Sequence, residues 1–423
     1  MIVRLAYGEG TLPVDLPEDR TTVIEPRHQP GLPDERQAVC NALDHPIEAP
    51  PLREWIRPGM RICILFTDIT RATPNHRLIP WLLEYLSFVP PEQITLLNQT
   101  GTHRPNTRAE LERMLTPEVV ARYRVVNHEC EKESDLVYLG NLPNGTPLWI
   151  NRHAVEADLR IVTGFIEPHF FAGFSGGPKG IMPGVAGLRT IMSNHGARNI
   201  GHPHATFGIL DGNPIWEEIR DAALRVGPSF LLNVTLNEKR EITGVFAGDL
   251  IRAHRVGCDF VKSSAMYRCT EPFDVVVTTN SGYPLDLNLY QGVKGMSAGA
   301  RILKPGGTLI LAAECREGVP SGSPLDRLLR RVRHPEEILQ LLATPGFEQP
   351  EQWQAQIQAL VQQRGRVLLY SSLPDDVVRA AHLEPCHDIA AAVREALQQA
   401  PSGAKVAALP QGPLSIPYLE SAN

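Results

Sequence analysis

Short apolar runs alternate along the chain with segments whose apolar residues recur at helical spacing. Residues 62–66, 94–97 and 159–166 are runs of the length expected for buried strands. Leu82, Leu83 and Leu86 follow Ile79 at helical spacing, and residues 35–43 and 108–115 are further predicted helices. Alternation of strands and helices predicts an α/β domain with a largely parallel sheet.

The same pattern restarts near residue 270. Residues 273–279, 307–313 and 366–370 are predicted strands, and a helix is predicted from about 287 to 301. We therefore predict an N-terminal α/β domain at residues 1–270 and a C-terminal α/β domain at 271–400. The tail, residues 400–423, is expected either to add a last strand or to pack on the first domain. Two α/β domains of this kind predict an active-site cleft between them.

Composition narrows the class of protein. The 423 residues exceed what one hydrophobic core usually serves, and 43% are hydrophobic and 21% charged. A net charge of −6 and a pI near 6.2 give no electrostatic footprint for nucleic acid or an anionic membrane. The seven cysteines are scattered without a C-x-x-C pair, as is typical of reduced thiols. We expect a cytoplasmic protein with no nucleic-acid or membrane partner.

Polar residues follow three of the predicted strands: Asp68 and Arg71 the first, His103 the second, and His169 the third. The carboxyl ends of parallel strands share one sheet edge, where open α/β sheets bind ligands. Arginine can grip a carboxylate with two parallel hydrogen bonds, and histidine can transfer a proton near pH 7. Taken singly, Asp68 and Arg71 could form a strand-end salt bridge and His103 could be satisfied by loop carbonyls. Together, the three strand ends favour a common site.

A glycine-rich segment follows the third strand, at residues 167–180. Glycines at 173, 176 and 177 remove the Cβ atoms that would keep the backbone away from a bound anion. Lys179 can reach across this loop, and His195 is expected on the helix that follows. The segment does not match the order of a P-loop. It therefore predicts a cofactor site at this end of the sheet.

Two other interpretations of this segment remain open. It could be a phosphate-binding loop with a structural lysine, in which His195 is merely exposed on a helix. A zinc site of His169, His195 and a carboxylate is the second, although the compact H-x-x-x-H spacing is absent. His202 and His204 are interpreted as loop residues.

A last motif, Tyr290-Gln291-Gly-Val-Lys294, lies early in the helix predicted in the second domain. Tyr290 and Lys294 are four residues apart, and Gln291 and Lys294 three, so the three side chains share one helical face. Such a face is ordinarily solvated. Here it predicts a clamp for a substrate anion.

Taken together, these motifs resemble the nickel-pincer-nucleotide-dependent lactate racemase family. The resemblance rests on Asp-x-Thr-Arg, Thr-His-Arg-Pro, Pro-His-x-x-Ala-Gly-x-Ser-Gly-Gly-x-Lys, Asn-His and Tyr-Gln-x-x-Lys, which span residues 68 to 294 in the family's order. It implies a racemase or epimerase of 2-hydroxy acids, with lactate as the default substrate, and cofactor maturation enzymes as partners.

The resemblance also implies roles for individual residues. Lys179 would carry the cofactor, a pyridinium-3-thioamide-5-thiocarboxylic acid mononucleotide, through a thioamide bond. His195 would be the one protein ligand to its square-planar Ni(II). His103 and His169 would be the catalytic acid and base. Contacts to the cofactor are expected from Asp68, Ser175, Gly176 and Gly177, and contacts to the substrate from Arg71, Tyr290, Gln291 and Lys294.

The chemistry of a 2-hydroxy acid agrees with these implied roles. Its C2 proton is too weak an acid for a side chain with a pKa near 7, because the conjugate base would stand beside a carboxylate. Removing a hydride instead, while a histidine takes the hydroxyl proton, gives a flat keto acid that can be reduced on either face. A zinc-dependent hydrolase or lyase at His169 and His195, and a non-catalytic phosphate- or nucleotide-binding module, are the alternative functions.

Overall fold

The computed structural model describes residues 1–344 and 346–419. Its strands are β1 Ile2–Tyr7, β2 Gly10–Asp15, β3 Thr21–Val23, β4 Ile62–Thr67, β5 Ile94–Gln99, β6 Arg124–Asn127, β7 Leu136–Asn141, β8 Pro147–Asn151, β9 Leu159–Phe165, β10 Pro168–His169, β11 Gly173–Phe174, β12 Ser229–Leu236, β13 Ile242–Asp249, β14 Met266–Cys269, β15 Phe273–Thr279, β16 Leu303–Ala312, β17 Gly365–Tyr370, β18 Glu384–Pro385, β19 Val406–Leu409 and β20 Ile416–Leu419.

The helices lie between these strands. They are α1 Glu35–Asp44, α2 Leu52–Trp55, α3 Asn75–Tyr85, α4 Arg108–Leu115, α5 Pro117–Arg122, α6 Arg152–Val155, α7 Leu188–Asn194, α8 Ala197–Ile200, α9 Pro214–Val226, α10 Arg252–Ala265, α11 Leu289–Ala300, α12 Pro324–Arg331, α13 Pro335–Leu342, α14 Gln352–Arg364, α15 Asp375–Ala380 and α16 Ile389–Gln399. Short 3-10 turns include Gly177–Gly180.

The described residues form two compact units. The histidine unit comprises residues 28–195 and 204–264, and the C-terminal unit comprises residues 1–27, 196–203 and the described residues from 265 onward. The chain begins in the C-terminal unit, in which β1 pairs with β2 as an antiparallel hairpin. The sequence-based division into an N-terminal domain at 1–270 and a C-terminal domain at 271–400 stays a prediction.

The histidine unit is built on a six-stranded sheet in the order β13-β12-β9-β4-β5-β6. All neighbours are parallel except β12 and β13, which pair antiparallel at one edge. Strand β4 is buried along five of its six residues, and β9 along all seven, because continuous apolar runs suit strands covered on both faces. Helix α3 packs its Leu78, Ile79 and Leu82 into the core of this sheet.

The strand order also fixes where the polar motifs lie. Strands β9, β4 and β5 are adjacent and parallel, so the segments that follow them leave from the same sheet edge. Asp68 follows β4, His103 follows β5, and His169 lies shortly after β9. The predicted common edge is confirmed.

The C-terminal unit has its own six-stranded sheet, in the order β18-β17-β16-β15-β19-β3, with every pair parallel. The tail supplies β19, which lies between β15 and β3. This arrangement matches the first of the two expectations for the tail, a last strand. With both sheets largely parallel and flanked by helices, the predicted α/β class is confirmed.

In residues 1–344 and 346–419, no helix combines the length and the apolar composition that crossing a bilayer requires.

Candidate active site

Asp68 and His103 form a hydrogen-bonded pair at the shared sheet edge. The Asp68 carboxylate is 2% exposed, and its Oδ2 lies 2.9 Å from His103 Nδ1. The Thr70 hydroxyl donates to both carboxylate oxygens, at 3.0 and 3.2 Å. Burial alone would raise the pKa of Asp68, but the hydrogen bond and charge of His103, with smaller effects of Arg71 and Thr70, lower it below its usual value. Asp68 is therefore an ionised acceptor for the Nδ1–H of His103.

Arg71 lies beside this pair. Its Nε is 3.9 Å from Asp68 Oδ1, which is longer than a hydrogen bond, and its side chain is 43% exposed. Asp68 thus makes its closest contact with His103, and the strand-end ion pair with Arg71 considered from the sequence is present as a longer contact. The guanidinium of Arg71 is placed where a carboxylate arriving from solvent can meet it.

His169 is held by a small hairpin, because β10 pairs antiparallel with β11 and places His169 opposite Gly173. Its Nδ1 accepts the backbone N–H of Ala172 at 3.2 Å, with that of Phe171 at 3.5 Å. A ring nitrogen that accepts carries no proton, so the neutral ring of His169 carries its hydrogen on Nε2. His103 has the opposite tautomer, because its Nδ1 donates to Asp68.

Two side chains from elements that are distant in sequence hold the backbone of the glycine loop in place. Gly177 donates its N–H to Asn233 Oδ1 at 2.7 Å, and His254 Nε2 donates to the Ser175 carbonyl at 2.8 Å. Gly176 and Gly177 have φ values of 72° and 56°, a region that L side chains rarely adopt. A Cβ on Gly176 would lie 2.4 Å from Asn233 Oδ1, and one on Gly177 would lie 2.4 Å from the His254 ring. Only glycine allows this turn.

Lys179 lies in the 3-10 turn that follows these glycines. Its Nζ is 5.8 Å from the centroid of the Phe171 ring. Burial, with a smaller contribution from the charge of Arg71, lowers the pKa of Lys179 to about 7. A substantial fraction of this amine is therefore neutral at pH 7, which makes it a nucleophile.

His195 lies directly after α7, as the residue that caps the helix C-terminus; it was expected on the helix itself. Its Nδ1 is 2.9 Å from Asn194 Oδ1, and its ring packs edge-on against Phe171, 4.9 Å between centroids. Burial, together with the charge of Lys179, lowers the pKa of His195 to about 3. The ring is therefore neutral at pH 7, the form that binds metals.

Sequence reasoning missed several residues around this site. Asn233 and His254 come from β12 and α10, more than fifty residues after the glycine loop that they support. Glu218 of α9 accepts a hydrogen bond from Asn194 Nδ2 at 2.8 Å. None of these three lies in a motif, so no local signal marks them. Phe171 lies within the glycine-rich segment at residues 167–180, and its ring contacts both Lys179 and His195. Its place in that segment is a sequence signal that could have marked it.

The predicted residues Tyr290, Gln291 and Lys294 belong to the C-terminal unit. They occupy the first two turns of α11, whose N-terminus is capped by Asn288 Oδ1 accepting from the Gln291 N–H at 3.1 Å. Tyr290 packs partly against the core of this unit. The predicted common helical face is therefore present.

Two other sequence expectations concern metal ligands. His202 and His204 lie in the turn region between α8 and α9, as expected for loop residues. In the part of the chain that the structure describes, no group of three His, Cys, Asp or Glu side chains is arranged to hold a metal ion.

The fold and this site define an α/β protein of two units with a histidine pair and a glycine-supported lysine at one sheet edge. Residues 7–208 match the lactate racemase N-terminal domain, and residues 269–416 match the lactate racemase C-terminal domain. The chain belongs to the lactate racemase family, a family of isomerases.

Individual relatives agree with this assignment. The chain is 40% identical to a lactate racemase from Lactiplantibacillus plantarum, over 89% of this chain and 90% of that protein. It is 34% identical to a lactate racemase from Thermoanaerobacterium thermosaccharolyticum, over 97% of each. The structure of the apoprotein of a lactate racemase from T. thermosaccharolyticum superposes with a TM-score of 0.91, covering 99% of this chain and 100% of that one. A Thermotoga maritima protein, 20% identical with a TM-score of 0.68 over 93% of this chain, shares the fold.

Proposed function

We propose that this protein interconverts the two C2 stereoisomers of a 2-hydroxy acid, with lactate as the default substrate. The observation that carries the proposal is the Asp68–His103 pair beside Arg71 at the sheet edge, in a chain that belongs to the lactate racemase family. A racemase needs an ionisable base next to a group that binds the substrate carboxylate. His103, paired with Asp68, is suited to the first task, and Arg71 is suited to the second.

The chain also has residues that fit a nickel-pincer nucleotide. The Lys179 amine, with a pKa near 7, is a nucleophile able to form the proposed thioamide tether. The neutral His195 imidazole is the type of nitrogen donor that square-planar Ni(II) takes beside sulfur ligands. Ser175, Gly176 and Gly177, with Asp68, are proposed to contact the nucleotide. When bound, the group would supply a reversible acceptor for the C2 hydride of the substrate.

The two histidines are proposed to hold and move the hydroxyl proton. His103 has its Nδ1–H committed to Asp68, so its Nε2 takes a proton as a base, and the Asp68 carboxylate stabilises the imidazolium that forms. His169 accepts backbone N–H groups at Nδ1, so its neutral ring presents Nε2–H as a donor. The proton returns to the substrate oxygen from whichever ring is protonated, His103 or His169, and the face on which C2 is reduced determines the stereoisomer.

The substrate carboxylate must stay held while the rest of the molecule turns. Arg71 is proposed to hold it through its planar guanidinium. Lys294 shares one face of α11 with Tyr290 and Gln291. It is proposed to bind the substrate because it belongs to the Tyr-Gln-x-x-Lys motif of the family.

The first test uses protein loaded with cofactor by co-expression with maturation enzymes, which are the proposed partners. Each enantiomer of lactate, and then of other 2-hydroxy acids, is incubated with this protein and the products are separated on a chiral column. Interconversion with deuterium retained at C2 is expected. No interconversion of any hydroxy acid would sink the proposal, and full washout of deuterium into solvent would replace hydride transfer by carbanion chemistry.

The second test separates catalysis from cofactor binding. His103→Ala and His169→Ala are each expected to lower kcat by about 10²- to 10⁴-fold while the mass added at Lys179 is unchanged. Because enantiomers are equal in free energy, kcat/KM must fall equally in both directions. Retained turnover in either variant removes that histidine from the proton transfer.

A further inference from the structure

A hydrogen-bonded chain of three buried side chains ends on His195. Glu218 Oε2 accepts from Asn194 Nδ2 at 2.8 Å, and Asn194 Oδ1 lies 2.9 Å from His195 Nδ1. The exposed fractions of Glu218, Asn194 and His195 are 8%, 0% and 5%. Glu218 lies on α9, Asn194 is the last residue of α7, and His195 directly follows it. All three belong to the histidine unit. We call this chain the Glu218 relay.

The relay determines which way the Asn194 amide faces. Its Nδ2 donates to two acceptors, Glu218 Oε2 and the backbone carbonyl of Ile215, at 2.8 and 3.2 Å. An amide oxygen in that place would face two oxygens and be repelled by both. Asn194 therefore must present its Oδ1, an acceptor, to His195 Nδ1.

This orientation in turn determines the tautomer of His195. An acceptor at 2.9 Å requires a hydrogen on Nδ1, and the neutral ring then carries its lone pair on Nε2. With the Asn194 amide reversed, an N–H group would face Nδ1, and the hydrogen would move to Nε2. A ring in that second tautomer cannot offer Nε2 to a metal.

We propose that Glu218 and Asn194 are positioning residues that hold His195 in the tautomer with Nε2 as metal-ligand atom. This inference rests on the proposed role of His195 as the nickel ligand. Metal-binding histidines commonly donate their second ring N–H to a fixed acceptor, and loss of such an acceptor lowers metal affinity or activity by about 10- to 100-fold.

The burial of Glu218 supports a role beyond packing. A carboxylate at this depth is expensive to desolvate, and an apolar side chain of similar size would pack α9 with less penalty. Thr146 Oγ1 adds a longer hydrogen bond to Glu218 Oε2 at 3.4 Å, and the same hydroxyl lies 2.8 Å from Ser193 Oγ. The carboxylate is thus held in place as the acceptor that orients Asn194.

The experiment compares three variants of the full-length protein labelled with ¹⁵N-histidine. Glu218→Leu removes the acceptor; Glu218→Gln keeps an oxygen that can accept from Asn194. Thr190→Val is the matched control, because Thr190 is fully buried on α7 and its hydroxyl donates to the Pro147 carbonyl and accepts from the Trp149 N–H, outside the hydrogen bonds of the relay. Long-range ¹H–¹⁵N spectra at pH 8 report the tautomer of His195, whose signals are assigned by their loss in His195→Gln.

Wild type, Glu218→Gln and Thr190→Val are expected to give the Nδ1–H pattern, and Glu218→Leu a gain of Nε2–H. In cofactor-loaded protein dialysed against a chelator, Glu218→Leu is expected to retain nickel roughly 10- to 100-fold more weakly than Glu218→Gln. Should Glu218→Leu fail to fold, Asn194→Ala removes the acceptor of His195 directly and serves as the second variant.

An unchanged Nδ1–H pattern in folded Glu218→Leu, or in Asn194→Ala where that second variant is used, would overturn the proposal. The tautomer is read in protein without cofactor, so its outcome is independent of whether the protein racemises lactate. If the His195 tautomer changes in Glu218→Leu but the wild-type protein has no racemase activity, the positioning role of Glu218 is supported and the proposed function is refuted.

Discussion

Asp68 and His103 are 35 residues apart in sequence, yet Asp68 Oδ2 lies 2.9 Å from His103 Nδ1. The two segments that bring them together leave adjacent parallel strands, β4 and β5, at the same edge. The carboxylate is buried, whereas the His103 side chain is 41% exposed. A buried, oriented carboxylate behind an accessible imidazole is the arrangement that activates the outer ring nitrogen as a base.

Asp68→Asn is expected to lower kcat by about 10²- to 10⁴-fold in both directions, measured by chiral chromatography. The amide removes the negative charge that stabilises the His103 imidazolium. The Thr70 hydroxyl, which donates to both oxygens of Asp68, favours an amide orientation with the NH₂ group toward His103 and thus the wrong tautomer.

Asp135→Asn serves as a control, because Asp135 is paired with Lys132 outside the strand-edge site. It should leave turnover unchanged. Wild-type turnover in Asp68→Asn, with cofactor content equal by mass, would show that the Asp68–His103 pair has no part in proton transfer.

Much of the strand edge could be predicted from the sequence, because its determinants are local. Continuous apolar runs of six or seven residues favour strands buried on both faces. Once parallel strands are inferred, Asp68, His103 and His169 must leave the sheet at one edge.

The support of the glycine loop could not be predicted in this way. Asn233 and His254 meet the loop only because β12 pairs with β9 and because α10 packs behind Gly177. The antiparallel partner of β12, strand β13, also escaped the sequence analysis. Strand β13 pairs antiparallel with β12 at the edge of the sheet, and no residue pattern within β13 specifies that pairing.

The lowered pKa of Lys179 is expected to appear in its reactivity. Trace acetylation of protein without cofactor, followed by peptide mass spectrometry, should show labelling of Lys179 rising with pH, with a midpoint near pH 7, as the neutral amine fraction grows. Lys132 is the internal reference, since its hydrogen bond to Asp135 raises its pKa. Parallel labelling curves for the two lysines would contradict an activated amine.

Gly177→Ala is expected to destabilise the protein through two separable effects. The first is the positive φ of 56°, which costs an L-residue roughly 1–2 kcal/mol. The second is a Cβ placed 2.4 Å from the buried His254 ring, an overpacking that typically costs about 1–3 kcal/mol.

Gly145→Ala isolates the first effect, because Gly145 has a φ of 95° and nothing within 4 Å of the added Cβ. The difference between the two variants in free energy of unfolding, measured with urea, therefore reports the clash. Equal losses would mean that the ring of His254 moves aside without resistance. Gly177→Ala is also expected to lose cofactor loading at Lys179, whereas Gly145→Ala should keep it.

The pH dependence of stability is expected to reflect His128, a histidine outside the site. Its ring is fully buried, donates from Nε2 to the Ala186 carbonyl at 2.9 Å and accepts from Asn151 Nδ2 at 3.1 Å. Burial lowers the pKa of His128 to about 4 in the folded protein, against about 6.5 for an unfolded histidine.

Between these two values the unfolded chain binds a proton that the folded protein does not, so the free energy of unfolding falls as pH falls. The contribution of His128 is fully present above pH 6.5, declines by about 1.4 kcal/mol per pH unit and levels off below pH 4. His128→Gln removes this proton uptake. The variant is expected to be less stable than wild type at pH 8, with the difference narrowing by about 2 kcal/mol at pH 5. Urea unfolding at several pH values measures this narrowing, and a constant difference across the range would show that the pKa of His128 is the same in the folded protein as in the unfolded chain.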